Sequence, residues 1–107
     1  MISIFRSALN RLAHGEQGLL RFHAAPDVKA SLHAGGMVLI HLGKGTVFSS
    51  NRVGAMIWEG ATERRSLDEV AASISGAFDI PRQTVREDAA AFLSQLQAEG
   101  LLVPDGN

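Results

Sequence analysis

The sequence predicts an α+β domain of winged-helix-like architecture: a three-stranded antiparallel sheet followed by three α-helices, with an additional N-terminal segment. Between residues 28 and 49, apolar and polar side chains alternate in short runs that glycine-containing turns separate, a pattern typical of strands joined as hairpins. From residue 51 onward the apolar side chains recur every three or four residues, which is typical of amphipathic helices.

Length and composition limit the classes of protein to be considered. A chain of 107 residues with 46% hydrophobic and 20% charged residues is suited to one domain with a modest core. The absence of cysteine excludes disulfides and thiolate chemistry and fits a reducing cytoplasm. A formal net charge of −1 argues against a nucleic-acid partner. No apolar run reaches the roughly 18 residues of a membrane span, so no membrane partner is expected.

The N-terminal segment is predicted to differ from the rest of the chain. Residues 1–24 are interpreted as an extension that contains a short amphipathic helix over residues 2–13, and residues 25–107 as the folded domain. The apolar positions of this helix are Ile2, Phe5, Leu9 and Leu12. The helix can pack on its own domain, or it can dock on a partner or a second copy, which leaves a homodimer as an alternative.

The three strands are predicted to form a meander. Residues 28–33 alternate as in a half-buried strand, and Gly35-Gly36 is a two-residue hairpin signal. Residues 37–42 supply a mostly apolar central strand, residues 43–45 a second tight turn, and residues 46–49 a short third strand. The order of a meander places this third strand at an edge of the sheet, where it pairs on one side only.

The first of the three helices is predicted to follow the third strand at once. Ser50 or Asn51 can cap a helix that runs to about Glu59. Residues 49–51 are expected to turn the chain away from the sheet and leave the strand edge open. The side chains expected in the core are Val53, Met56 and Ile57, with Trp58 at the margin.

The second and third helices carry clearer boundary signals. Ser66 and Glu69 form a capping box at the start of the second helix. Pro81 suits the first turn of the third helix, and Gly100 ends it. The apolar stripes are Leu67, Val70, Ala71, Ile74 and Phe78 in the second helix, and Val85, Ala89, Phe92 and Leu96 in the third. Residues 101–103 are expected to pack back as a tail.

The pattern contains no credible active site, so the chain is predicted not to be an enzyme. The histidines occur at His14, His23, His33 and His41. None of them forms an HxxxH or HExxH motif. In the predicted hairpin His33 lies opposite Val38 and His41 points to the other face, so the two are poor co-ligands. No metal or cofactor is predicted.

Arg82 and Arg86 are one helical turn apart and share a flank of the third helix. One interpretation is a solvated helix face, and the other is a contact to acidic groups of a partner. DNA phosphates are disfavoured because Glu87 and Asp88 follow directly.

Four segments in a fixed order carry a family resemblance. They are "TVFSSN", "GAMIW", "RSLDEVAASISGAF" and "VREDAAAFLSQLQAEGLL". Over residues 28–102 the chain resembles the PqqD family of small peptide chaperones, also called RiPP recognition elements. The resemblance implies a non-catalytic protein that holds the leader of a ribosomally made precursor peptide. It would present this leader to a modifying enzyme such as a radical-SAM enzyme, a protease or a cyclase.

The resemblance also implies where the leader binds: as a strand added to the third strand, in the cleft against the third helix. An open strand edge supplies the backbone donors and acceptors that such binding requires. The expected peptide-binding residues are Thr46, Val47, Phe48 and Ser49 at the edge, and Arg82, Val85, Arg86, Ala89, Ala90 and Leu93 at the cleft wall. Leaders of this class are often acidic, which would give Arg82 and Arg86 a role.

Two questions stay open at the level of sequence. The outward-facing backbone groups belong either to Thr46 and Phe48 or to Val47 and Ser49, because alternate residues of an edge strand face outward. The function also has two alternatives, namely a winged-helix DNA-binding regulator and a structural adaptor that dimerises through residues 2–13. A salt-dependent gel shift would identify the first, and light scattering with and without residues 2–13 would identify the second.

Overall fold

The computed structural model of this protein describes residues 19–105, which form an α+β fold. In chain order the elements are β1 (Phe22–Ala24), β2 (Val28–His33), β3 (Gly36–His41), β4 (Thr46–Asn51), α1 (Arg52–Thr62), α2 (Leu67–Phe78), α3 (Arg82–Ala98) and β5 (Leu102–Pro104). Strands β2, β3 and β4 form an antiparallel sheet in that order, so the predicted meander followed by three helices is confirmed. The predicted helix over residues 2–13 lies outside the described residues.

The turn between β2 and β3 lies one residue earlier than predicted from the sequence. His33 pairs with Gly36, which leaves Ala34-Gly35 as the turn, so His33 does not lie opposite Val38. Gly36 is instead a strand residue with φ of 154°. A Cβ atom there would stand 2.0 Å from the carbonyl oxygen of Ser50, so glycine is required where the two backbones approach this closely.

Strand β4 passes into α1 without an intervening loop. Ser50 and Asn51 still pair with β3, so they complete the strand rather than turning the chain away as expected. Asn51 also caps the helix, because its side-chain oxygen accepts a hydrogen bond of 3.0 Å from the Gly54 N–H. The helix runs on to Thr62, beyond the predicted end at about Glu59.

The boundaries of α2 and α3 follow local rules. Ser66 Oγ accepts from the Glu69 N–H at 3.0 Å, and Glu69 Oε1 accepts from the Ser66 N–H at 3.1 Å, which confirms the capping box. Pro81 occupies the cap position directly before α3, one place ahead of the predicted first turn. Gly100, with φ of 76°, follows the helix end.

A second, two-stranded sheet was not predicted from the sequence. Strand β1 pairs antiparallel with β5, so the expected C-terminal tail is a strand. Leu20 and Phe22, from the segment assigned to the N-terminal extension, are completely or almost completely buried in the common core. Trp58 is also buried, at 4% exposure, and does not lie at a margin. Phe78, expected on the apolar stripe of α2, is 38% exposed.

An ionic cluster ties this small sheet to the loop between α1 and α2. His23 Nδ1 donates to Asp105 Oδ1 at 2.7 Å, and Arg64 Nη1 lies 2.5 Å from Asp105 Oδ2. The hydrogen bond from His23 lowers the pKa of the Asp105 carboxyl below its ordinary value. Partial burial opposes this shift, and the positive charge of Arg64 adds to it.

Candidate functional site

Strand β4 offers one open edge of the three-stranded sheet. Within residues 19–105 it pairs with β3 and with no other strand. Its side chains alternate between two environments: Phe48 packs against the core, whereas Val47 is 66% exposed. The edge therefore carries backbone groups that are free to pair with an added strand.

The outward-facing groups can be assigned from the register. Leu42 N–H donates to Asp27 O at 2.8 Å, in line with the β2–β3 pairing. Backbone groups of even-numbered β3 residues therefore face β2, and those of odd-numbered residues face β4. The β4 partners of these odd-numbered residues are Thr46, Phe48 and Ser50. The N–H and C=O groups of Val47 and Ser49 consequently face outward, which decides between the two alternatives left open by the sequence.

Helix α3 runs beside this edge. The Phe48 and Phe92 rings lie 6.0 Å apart between centroids, tilted by 52°. At the other end of the strand Lys44 Nζ donates to Glu99 O at 3.0 Å, which ties the β3–β4 turn to the C-terminal end of α3. The space between β4 and the side chains of Asp88 and Phe92 is called here the β4–α3 groove.

The turn that holds Lys44 depends on a histidine that the sequence indicated only as a candidate metal ligand. His41 is 9% exposed, and its Nδ1 accepts a hydrogen bond of 3.1 Å from the Lys44 N–H. This bond requires Nδ1 to be unprotonated. Gly100 lies so close that a Cβ atom there would stand 2.7 Å from Lys44 Nζ. The end of the groove is thus fixed by a histidine, a lysine and a glycine that no binding motif signals.

The groove deepens into a pocket where β4 passes into α1. The pocket has a volume of about 280 Å³ and is lined by Ser50, Asn51, Val53, Gly54, Ile57, Asp88 and Phe92. Gly54 allows the walls of the pocket to pack closely, because a Cβ atom there would stand 2.6 Å from Ser50 Oγ and 3.0 Å from Phe92 Cζ. The pocket opens to solvent, so a side chain of an added strand can enter between the strand and the helix.

The six residues expected at the cleft wall lie in different environments. Val85, Ala89, Ala90 and Leu93 are at most 6% exposed and belong to the core. Arg86 forms an ion pair with Asp68 of α2, and Arg82 is exposed. The α3 side chains that line the pocket are Asp88 and Phe92. The apolar stripe identified the buried face of α3, but the spacing alone does not tell which flank meets β4.

The described residues hold no group of three or more histidine, cysteine, aspartate or glutamate side chains that could bind a metal ion. Across the same part of the chain, no helix combines the length and the apolar character needed to cross a membrane.

Comparison with known proteins identifies a matching family. The family model described as "Coenzyme PQQ synthesis protein D (PqqD)" matches residues 36–102, from the start of β3 to the start of β5. No curated protein matches the sequence significantly.

Two solved structures are similar in fold. One is described as "Lasso peptide synthetase B1 complexed with the leader peptide"; it has a TM-score of 0.71 and 24% identity, over 78% of this chain and 99% of that chain. The other is "TbiB1 in Complex with the TbiA(beta) Leader Peptide"; it has a TM-score of 0.68 and 28% identity, over 79% of this chain and 99% of that chain. Since the family model spans more than half of the sequence, the chain belongs to the PqqD family.

Proposed function

We propose that this protein is a peptide-binding chaperone without catalytic activity of its own, which holds the leader of a ribosomally made precursor peptide. The observation that carries the proposal is the open β4 edge, where Val47 and Ser49 direct their backbone groups outward beside α3. Both similar structures are described as complexes with a leader peptide, which supports the same function here.

The binding mode in this proposal is the addition of a strand to β4. Main-chain hydrogen bonds supply affinity that is independent of sequence, and pockets for alternate side chains supply selectivity. A net contribution of roughly 0.5–1.5 kcal/mol per hydrogen bond is modest. The few bonds available at Val47 and Ser49 therefore need the side-chain contacts of the β4–α3 groove, which Phe48, Asp88 and Phe92 border.

The chemistry in this proposal belongs to a partner that receives the held peptide, such as a radical-SAM enzyme, a protease or a cyclase. Arg82 and Arg86 were expected to bind an acidic leader. The proposal does not include this contact, because Arg86 already forms an ion pair with Asp68. Homodimer formation and a cytoplasmic location remain predictions from the sequence.

Selection from a display library of random peptides on the purified protein tests the function. An enriched peptide, called here the selected peptide, is then titrated into the protein by calorimetry. We expect saturable binding that an unlabelled copy of the peptide competes away. Failure to enrich any peptide would contradict the proposal, and salt-sensitive binding of a DNA duplex in a gel shift would favour the DNA-binding regulator instead.

A further inference from the structure

The pocket at the α1 end of the β4–α3 groove has largely apolar walls and opens to solvent. Val53, Ile57 and Phe92 supply apolar wall atoms, and Gly54 lets Ser50 and Phe92 pack closely against α1. At about 280 Å³ the space is large enough for a long side chain of a bound peptide.

Most polar groups that line the pocket already have partners. Asn51 Oδ1 accepts from the Gly54 N–H at 3.0 Å, and Ser50 Oγ donates to the Asn51 carbonyl oxygen at 3.1 Å. The exception is Asp88, whose carboxylate is exposed and has no hydrogen-bond or ion-pair partner among residues 19–105. An occupant of the pocket therefore meets apolar walls along its length and one full negative charge at the rim.

A basic side chain matches this arrangement. The methylene stem of lysine or arginine packs on apolar surface while its charged end remains near water. A guanidinium or ammonium group at the rim can hydrogen-bond to the Asp88 carboxylate and lie against the Phe92 ring. The N-terminus of α1 also borders the pocket, and its partial positive charge of about one half repels a cation. This partial charge is smaller than the full negative charge of the Asp88 carboxylate.

The register then fixes a spacing in the peptide. Side chains of an added strand point to the same face as the β4 residues beside them and alternate with a period of two. A peptide residue beside Ser50 directs its side chain into the pocket, and the residue two positions away lies beside Phe48 and the Phe92 ring. That second position favours an apolar side chain.

We propose that the bound peptide is recognised by a basic residue, whose side chain fills this pocket and pairs with Asp88, and by an apolar residue two positions away. This inference rests on the proposed function and deepens it, because it names the chemistry that the groove selects.

The experiment is a parallel selection of the random-peptide library on the wild type, Asp88→Asn, Asp88→Lys and Ser49→Pro, with Glu87→Gln as the matched control. Glu87 is the adjacent carboxylate on α3, and its Oε2 accepts from Gln83 Nε2 at 3.0 Å. We expect wild type and Glu87→Gln to enrich lysine or arginine two positions from an apolar residue. Asp88→Asn should lose the basic preference, and Asp88→Lys should favour an acidic residue at that position.

Titration of the selected peptide supplies the second measurement. Asp88→Asn should weaken binding about five- to tenfold, the scale of a partly exposed charge-assisted hydrogen bond. Replacing the basic residue of the peptide with methionine should have a similar effect on wild type and little effect on Asp88→Asn. Unchanged melting temperatures of the Asp88 variants show that these differences come from the pocket.

The outcomes separate this inference from the function on which it rests. The inference is overturned if the selected peptides carry no basic residue and bind Asp88→Asn as tightly as wild type. Strand addition remains intact in that case if the same peptides lose binding to Ser49→Pro. Peptides enriched equally by wild type and Ser49→Pro overturn strand addition and, with it, the inference.

Discussion

Strands β2 and β4 are the two edges of the same sheet, and both are six residues long. They differ in what lies beside them. Beside β4 stands α3, with the Phe92 ring against Phe48 and a pocket at the end of the strand. Strand β2 is exposed at every position except the half-buried Val28, and its principal contacts are with β3. An open edge becomes a selective site only where a second element supplies a wall.

The two edges also offer different backbone groups. In β2 the outward-facing positions are Val28, Ala30 and Leu32, and the Val28 N–H is already bonded to Ala25 O at 3.0 Å. Ala30 and Leu32 therefore correspond in β2 to Val47 and Ser49 in β4. This correspondence provides matched controls for substitutions in β4.

The largest expected effect comes from damage to the core that supports both edges. Trp58 is 4% exposed, and Trp58→Ala should lower the free energy of unfolding by about 3–5 kcal/mol. Chemical denaturation measures this loss. Unchanged stability together with abolished peptide binding would show that Trp58 belongs to the site and not to the scaffold.

Proline substitutions compare the two edges directly. Proline lacks an N–H and blocks close pairing, but edge strands tolerate it where the N–H faces outward. Val47→Pro and Ser49→Pro should weaken binding of the selected peptide about tenfold or more with the fold retained, since main-chain bonds and close pairing are lost together. Phe48→Pro removes a β3–β4 bond and should lower the melting temperature.

The matched control for these variants is Ala30→Pro, at an outward-facing position of β2. It should bind the selected peptide as wild type does. Equal losses for Ala30→Pro and Ser49→Pro would remove the distinction between the two edges.

A smaller effect is expected from the bond that ties the β3–β4 turn to α3. Lys44→Met removes the hydrogen bond to Glu99 O, which should cost about 0.5–1 kcal/mol of stability. We also expect weaker peptide binding, because this bond holds one end of the groove. Lys29→Met, on β2, is the control and should change neither quantity. Normal binding by a destabilised Lys44→Met would show that the groove does not depend on this bond.

The smallest effect should come from Asp105, which lies in the two-stranded sheet. The pKa of the Asp105 carboxyl is lowered in the folded protein. The ionised carboxylate therefore stabilises the fold above the ordinary pKa of 3.8. This contribution is lost as the pH falls through the lower pKa of the folded state. Asp105→Asn should therefore melt below wild type at neutral pH, with the difference shrinking in acid. Peptide binding at neutral pH should stay normal. A melting difference independent of pH would contradict the ionic role of Asp105.

Local rules account for the parts of the fold that the sequence predicted. The Ser66–Glu69 capping box and the meander order depend on neighbouring residues, and both are confirmed. The pairing of β1 with β5 joins segments far apart in the chain, so no short-range pattern signals it. The buried positions of Leu20 and Phe22 follow from that pairing.

The sequence likewise predicts one part of the candidate site and not the other. The β4 edge follows from strand order, whereas the rotation of α3 about its axis is set by packing against α2 and the core. That rotation buries Ala89 and Leu93 and brings Asp88 and Phe92 to the groove. The pocket over Gly54 likewise depends on an approach between α1 and α3 that the sequence does not encode as a motif.

Amide hydrogen exchange, measured residue by residue with and without the selected peptide, tests the central claim most directly. Strand addition to β4 predicts that the Val47 and Ser49 amides become protected on binding, while those of Ala30 and Leu32 exchange as before. Protection at Ala30 and Leu32, or unchanged exchange at Val47 and Ser49 in the saturated complex, would contradict binding at the β4 edge.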